Sequence, residues 1–264
     1  MSETQADPQV TGQMFLFRKP ELMAKEQHGD LGVSKPDQRY AFCAKVRAIP
    51  INVTEIPAAA RDYPIIFMSK EQPIPLAVVG IIDDLNLFVG DDGEWEKFRY
   101  VPAYVRRYPF GVANETGGTR MAVIIDTEYE GFGKSAEFPL FENGEPTKFT
   151  SDAVEFCKVF EQERQLTDDF TKRLAPYDVI QPQAGQYTPN DGGDPKPFAE
   201  YFAVDENKLK ELTDQQVAEL HKTNFLPVLY AMLTSMANWR TLLQRRADRF
   251  GLTEGQLMDT AKIN

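Results

Sequence analysis

The sequence predicts an α+β fold, with a mainly antiparallel sheet in the N-terminal part and helices packed on it in the C-terminal part. Up to about residue 149, short runs rich in β-branched and aromatic residues alternate with Asp- and Gly-rich turns. From about residue 150 the apolar residues recur at helical spacing instead. Sheet first and helices last is the α+β order.

Taken in order, residues 14–17 (MFLF) read as a short strand ended by Arg18-Lys19-Pro20. Residues 20–38 are polar and carry Gly29, Gly32 and Pro36, which predicts a long surface connection. Strands are expected near residues 42–53, 64–68, 76–82 and 87–89, with Asp83-Asp84 and Gly90-Asp91-Asp92-Gly93 as turns of a meander. Residues 121–125 and 137–141 extend the sheet. Asn143-Gly144 favours positive φ and predicts a tight hairpin before Thr147-Lys148-Phe149. Ser151 then caps a helix with Phe156, Val159, Phe160, Phe170 and Leu174 near one face, stopping before Pro176. Residues 181–197 hold four prolines and Asn190-Asp191-Gly192-Gly193-Asp194, the composition of an exposed loop. A strand at 199–204 follows, then a helix cap at Asp205 and a capping box at Thr213-Asp214-Gln215-Gln216. The last helix is expected over 226–250, with Leu229, Met232, Met236, Trp239 and Leu243 in its apolar stripe. No repeat or clean boundary divides the chain, so one domain over 1–264 is expected, β-rich over about 13–149 and helical over about 150–250.

With 42% hydrophobic and 26% charged residues a packed core is expected. The formal charge of −11 argues against non-specific nucleic-acid binding, which needs a basic footprint. The first residues lack the basic and apolar parts of a secretory leader, and no apolar run approaches the roughly 20 residues of a membrane span. Two cysteines, Cys43 and Cys157, are too few for a disulfide framework or a zinc site. A reduced, cytoplasmic protein is expected. The sequons at Asn52 and Asn114 read as chance.

Several chemistries drop out. Gly131-Phe132-Gly133-Lys134-Ser135 ends like a phosphate loop, but Glu128 stands where the motif needs glycine and an extended stretch follows instead of a helix. No dinucleotide fingerprint or nucleophile elbow occurs. His28 and His221 lack partners at ligand spacing, which argues against a histidine-based metal centre; carboxylates, above all Asp83-Asp84 and Asp91-Asp92, stay open as acids, bases or hard-metal ligands, but no metal or cofactor is expected. Asp83-Asp84 and Asp91-Asp92 read as solvated turns.

The most unusual segment is residues 97–110, KFRYVPAYVRRYPF, with four cations, five aromatics and no acid. Pro102 and Pro109 bracket a short helical stretch that places Tyr104 beside Arg107 and Tyr108, next to Arg106. Guanidinium groups recognise carboxylate or phosphate, and tyrosines stack or donate. Arg61, Tyr100, Tyr104, Arg106, Arg107 and Tyr108 are therefore the candidate ligand- or partner-binding residues. The structural alternative has the tyrosines in the core and the arginines in ion pairs. Asp62 is either a general base or the ion-pair partner of Arg106 or Arg107. Asn238-Trp239-Arg240 sets polar groups beside a large aromatic, where a helix can complete a pocket against the sheet.

The strings Ala60-Arg61-Asp62-Tyr63-Pro64, Tyr100 through Phe110, and Leu140-Phe141 with Gly144-Glu145-Pro146-Thr147 resemble the bacterial SapC family, in the same order. The resemblance runs from about Phe15 to Arg249. It is distinct from the transporter permease of that name, which needs membrane spans, and from saposin C, which needs disulfides. It implies a soluble bacterial protein, often encoded beside halogenase-like and cupin-like proteins, which are the implied protein partners. The expected function is a non-catalytic accessory or binding protein for an anionic small molecule or a partner protein. The alternative is an enzyme on a small anionic metabolite with Asp62 as acid or base.

Overall fold

A computed structural model describes residues 14–114, 121–189 and 193–258. In chain order the elements are β1 (Pro20–Leu22), α1 (Lys25–His28), β2 (Leu31–Val33), β3 (Ala48–Pro50), α2 (Ile56–Ala59), β4 (Ile65–Phe67) and β5 (Pro75–Val78). After α3 (Ala103–Arg106) come β6 (Phe110–Asn114), β7 (Met121–Asp126), β8 (Phe132–Lys134), β9 (Phe138–Pro139), β10 (Phe141–Glu142) and β11 (Glu145–Pro146). The long α4 (Lys148–Leu174) precedes β12 (Ile180–Tyr187) and β13 (Lys196–Val204). The helices α5 (Glu206–Lys210), α6 (Asp214–Lys222), α7 (Phe225–Ser235) and α8 (Asn238–Phe250) follow. Antiparallel sheets and C-terminal helices make this an α+β fold. No helix among the described residues is long and apolar enough to cross a membrane.

The chain forms two compact units. Unit 1 takes Met1–Arg39 and Arg106–Gln162, and unit 2 takes Tyr40–Val105 and Glu163–Asn264. The boundaries fall inside α3 and α4 as well as after Arg39.

Unit 1 contains the sheets β1-β7-β6 and β8-β2-β9 and the hairpin β10-β11, all antiparallel. Val33, Phe110, Ile125, Leu140 and Cys157 form its core. Asn143 and Gly144 both take positive φ, 50° and 83°, in the β10-β11 turn, as the sequence predicts. Two expectations are corrected. Residues 14–17 are a turn, with Phe17 N donating to Met14 O at 3.0 Å and Leu16 at φ 70°; the strand lies at β1 because the Asp126 carboxylate fixes the amides of Arg18 and Lys19 just before it. Residues 20–33 also carry β1, α1 and β2 and are not a surface connection. Gly32 marks a close approach: a Cβ there would lie 2.8 Å from Phe138 O across the β2-β9 pairing.

Unit 2 is built on a five-stranded sheet in the order β12-β13-β4-β5-β3. Ile65 and Phe67 on β4, Ala77 on β5 and Ile49 on the edge strand β3 are almost wholly buried. Helix α7 is tied to it where Ser235 Oγ accepts from Ile65 N at 3.0 Å, and α8 is tied to α2 where Asn238 Nδ2 donates to Ala60 O at 2.8 Å. Of residues 42–53 only β3 is a strand, with 3-10 turns at Ala41–Cys43 and Val53–Glu55. Residues 87–89 contribute a single bridge, Val89 to Trp95. The expected helix 226–250 is two helices. Between them the backbone tightens to i→i−3 bonds at Met236, Ala237 and Trp239. The caps at Asp205 and Thr213 form as read. Ser151 does not cap α4; the helix starts at Lys148, and Thr147 Oγ1 accepts from Thr150 N at 3.3 Å.

The largest correction concerns residues 181–197. Of these, residues 181–187 belong to β12 and 196–197 open β13, while Asn190, Asp191 and Gly192 lie outside the described residues. Pro182 is tolerated because β12 is a sheet edge, where a missing N–H need leave no ladder bond unmade.

Candidate functional site

The candidate residues of segment 97–110 divide between the two units. In unit 2, Asp62 pairs with Arg99, Oδ1 to Nη1 at 3.0 Å, not with Arg106 or Arg107, while its Oδ2 accepts from Tyr100 N at 2.9 Å. With both oxygens engaged, Asp62 is an anchor for this turn. The Tyr63 hydroxyl donates to Tyr100 O, and burial drives that phenol's pKa well up. Glu55, which the sequence reading missed, is buried and accepts from the Tyr100 hydroxyl at 2.9 Å and Ala103 N at 2.7 Å. Arg61 is exposed, with Nε donating to Ala58 O at 3.3 Å. Tyr104 is half-buried on α3.

In unit 1, Arg106 is exposed with its guanidinium 5.3 Å from the Phe156 ring. Arg107 is buried, 4.5 Å above the Phe160 ring and 5.9 Å from that of Phe17. The Tyr108 hydroxyl donates to Asp126 Oδ2 at 2.8 Å, and burial first, then that carboxylate, raise the phenol's pKa. The expected helical face is lost because α3 ends at Arg106 and the next two side chains turn into the packing of unit 1.

Other clusters are structural too. Asp83 is not a solvated turn residue: it is buried and takes Arg246 Nε at 2.7 Å, while Asp84 stays exposed. His28 is buried, with Nδ1 3.1 Å from Ala24 N, and His221 is exposed at the end of α6. Burial raises the thiols of Cys43 and Cys157 to about 12 and about 11, the second held back by Arg107, so neither is a ready nucleophile. Residues 131–135 run into the extended β8, as expected for a chain without a phosphate loop. The described residues include no cluster of three or more side chains suited to a metal ion.

A cleft with room for a ligand lies wholly in unit 2. It has a volume of about 900 Å³ and opens between the β12-β13 hairpin, α8 and the segment after it. Its aromatic wall is Phe198, Tyr201 and Trp239, with ring centroids 5.4 Å apart for Phe198 and Trp239 and 5.1 Å for Tyr201 and Trp239. Gly185 makes that wall: a Cβ there would lie 2.5 Å from the Phe198 ring. Trp239 Nε1 is buried with no acceptor in hydrogen-bond geometry, although its N–H is close enough to the Tyr201 hydroxyl to oppose the rise that burial imposes on that phenol's pKa. At one end Tyr187 donates to Glu254.

Arg240 supplies the positive charge. Three of the four arginines on α8 are neutralised: Arg245 by Glu96, Arg246 by Asp83 and Arg249 by Asp91. Arg240 lines the cleft, is exposed, and pairs with no carboxylate among the described residues. The sequence pointed here through Asn238-Trp239-Arg240 beside the sheet. It missed Gly185, Tyr187, Phe198 and Tyr201 because their segment read as loop or as an unremarked strand. Alternation of Gln183, Gly185 and Tyr187 with exposed neighbours was the available signal, masked by the prolines.

Residues 23–242 match the SapC family, and the chain belongs to it. No curated protein and no solved structure matches the chain.

Proposed function

We propose that this chain is a non-catalytic binding protein and that its ligand, which carries a negative charge, sits in the cleft of unit 2. The observation that carries this reading is Arg240, the α8 arginine without a carboxylate, beside an aromatic wall in a cleft of about 900 Å³. Small-ligand sites run to about 300–1,000 Å³, mostly apolar with a few placed polar groups. The aromatic rings take a flat or apolar part of the ligand, and the guanidinium takes its anionic part. The cleft's lining also favours binding over chemistry. It holds no cysteine, serine or histidine, and its one carboxylate, Glu254, already accepts from Tyr187. Asp62, the other candidate base, has both oxygens occupied. A reduced cytoplasmic setting fits the two buried, unpaired thiols.

The test is a titration with anilinonaphthalene sulfonate, a flat aromatic anion whose emission rises on leaving water. Saturable binding to the wild type is expected, at least tenfold weaker in Arg240→Glu, with the melting temperature unchanged because Arg240 is exposed. Equal affinity of the two proteins for the dye sinks this reading.

A further inference from the structure

We propose that Phe98 anchors this chain to a partner protein by seating its ring in an apolar pocket with an acidic rim. The site belongs to unit 2 but is independent of the cleft, and its failure leaves the cleft's function standing.

The ring takes no part in packing the fold. Its fractional exposure is 101%, so it touches essentially nothing in the chain. Leu166 and Tyr230, the next most exposed large apolar side chains among the described residues, are still close to half covered, at 56% and 55%. A bare phenyl ring in water carries a free-energy cost that burial against another surface removes.

The backbone beneath the ring is held against its own preference. Arg99 N donates to Glu96 O at 3.3 Å, which makes Phe98 the third residue of a four-residue turn, and its φ is 66°. Glycine or asparagine suits that position, and a bulky residue there is an outlier. Leu16 and Ile82 also take positive φ, but both are partly buried, so packing is there to offset the strain. Phe98 has no such contact. Folding alone favours a small residue here, so a ring kept in this conformation points to a task outside the fold.

The turn is mounted rigidly at both ends. At its start, Glu96 N donates to Phe88 O at 2.8 Å, and the Glu96 carboxylate takes Arg245 on both oxygens and Arg99 Nε at 3.0 Å. At its end, Asp62 accepts from Arg99 Nη1 at 3.0 Å and Tyr100 N at 2.9 Å, while the Tyr63 hydroxyl donates to Tyr100 O. Asp62 and Tyr63 are themselves buried. A ring on so fixed a mount loses little freedom on docking, which is how a single aromatic comes to dominate an interface.

Charge sets the partner's chemistry. Glu96 and Arg99 are matched by the pairs just given, whereas Lys97, directly before the ring, is exposed and pairs with no carboxylate among the described residues. An unmatched cation beside an apolar ring selects a pocket with a carboxylate at its rim. The net charge of −11 repels both a second copy of the chain and an anionic bilayer, so the occupant is a different protein.

The test is photo-crosslinking with p-benzoylphenylalanine placed in the full chain at Lys97 and, separately, at Phe98, with exposed Tyr230 as the control position, in the cells that make the protein. Positions 97 and 98 should each give an adduct with one other protein, and position 230 should not. That protein, once purified, should bind the wild type at least about tenfold more tightly than Phe98→Gly in calorimetry, and several-fold more tightly than Lys97→Glu. Phe98→Gly should melt within about 2 °C of the wild type or above it, because the ring packs on nothing and glycine suits the turn. The proposal is overturned by the lack of an adduct at both positions, or by a crosslinked protein that binds Phe98→Gly as tightly as the wild type. An adduct of two copies of this chain overturns it in favour of self-association, and Phe98-dependent binding to phosphatidylcholine–phosphatidylglycerol vesicles does so in favour of a bilayer. A Phe98→Gly chain that melts far below the wild type makes the ring structural and overturns it as well.

Discussion

Asp126 holds the start of unit 1 with one carboxylate. It is fully buried and accepts from Arg18 N at 2.8 Å, Lys19 N at 2.9 Å and the Tyr108 hydroxyl at 2.8 Å. Cutting it back to alanine removes the shared acceptor of all three donors, and a hydrogen bond to a charged group contributes about 1.5–3 kcal/mol. Asp126→Ala should therefore lose at least about 3 kcal/mol in urea unfolding with an unchanged slope, whereas Tyr108→Phe, which removes one donor, should lose about 1.5 kcal/mol. Equal losses for the two variants would show that the carboxylate is not the hub. None of this was legible in residues 97–110 alone. Their cations and aromatics read the same whether they face a ligand or bury in cation–π contacts. The deciding acids lie elsewhere, Asp126 18 residues from Tyr108 and Glu55 45 residues from Tyr100.

At the scale of elements, local chemistry was readable where it is self-contained. The Asn143-Gly144 turn, the Asp205 cap and the Thr213 box need only residues within a few positions, and all three form. The β12-β13 hairpin was not readable, because its prolines and glycine are explained by an edge position and a cross-strand ring that sequence spacing does not encode. The division of α7 from α8 was hidden for a similar reason: the apolar stripe runs through the break, so its period carries no sign of it. Gly185 gives the hairpin a test. A methyl group there collides with the far end of the Phe198 ring, which can move, while the backbone around it need not. Gly185→Ala should cost about 1 kcal/mol or less in stability, yet shift the Phe198 ring and weaken dye binding several-fold. A variant that binds the dye like the wild type would remove Phe198 from the binding wall.

For the whole molecule, the decisive property is that each compact unit is assembled from two separate stretches of chain. Residues 163–264 carry β12, β13 and the last four helices, and thus the entire lining of the cleft. They do not carry what holds it. The sheet neighbours β4, β5 and β3 come from residues 40–105, as do Asp83 and Glu96, the partners of Arg246 and Arg245. Arg246 is wholly buried, and a buried charge that loses its partner costs about 3–5 kcal/mol. An uncovered β13 edge adds a template for aggregation. A fragment of residues 163–264 should therefore show no cooperative urea transition and no Arg240-dependent dye binding. Residues 40–105 supplied as a second chain should restore both, because they return the three strands and the two carboxylates together. A cooperative transition in the isolated fragment would mean that the hairpin and α8 suffice to build the cleft. The ion pairs of Asp83 and Glu96 would then serve some end other than holding α8 against the sheet.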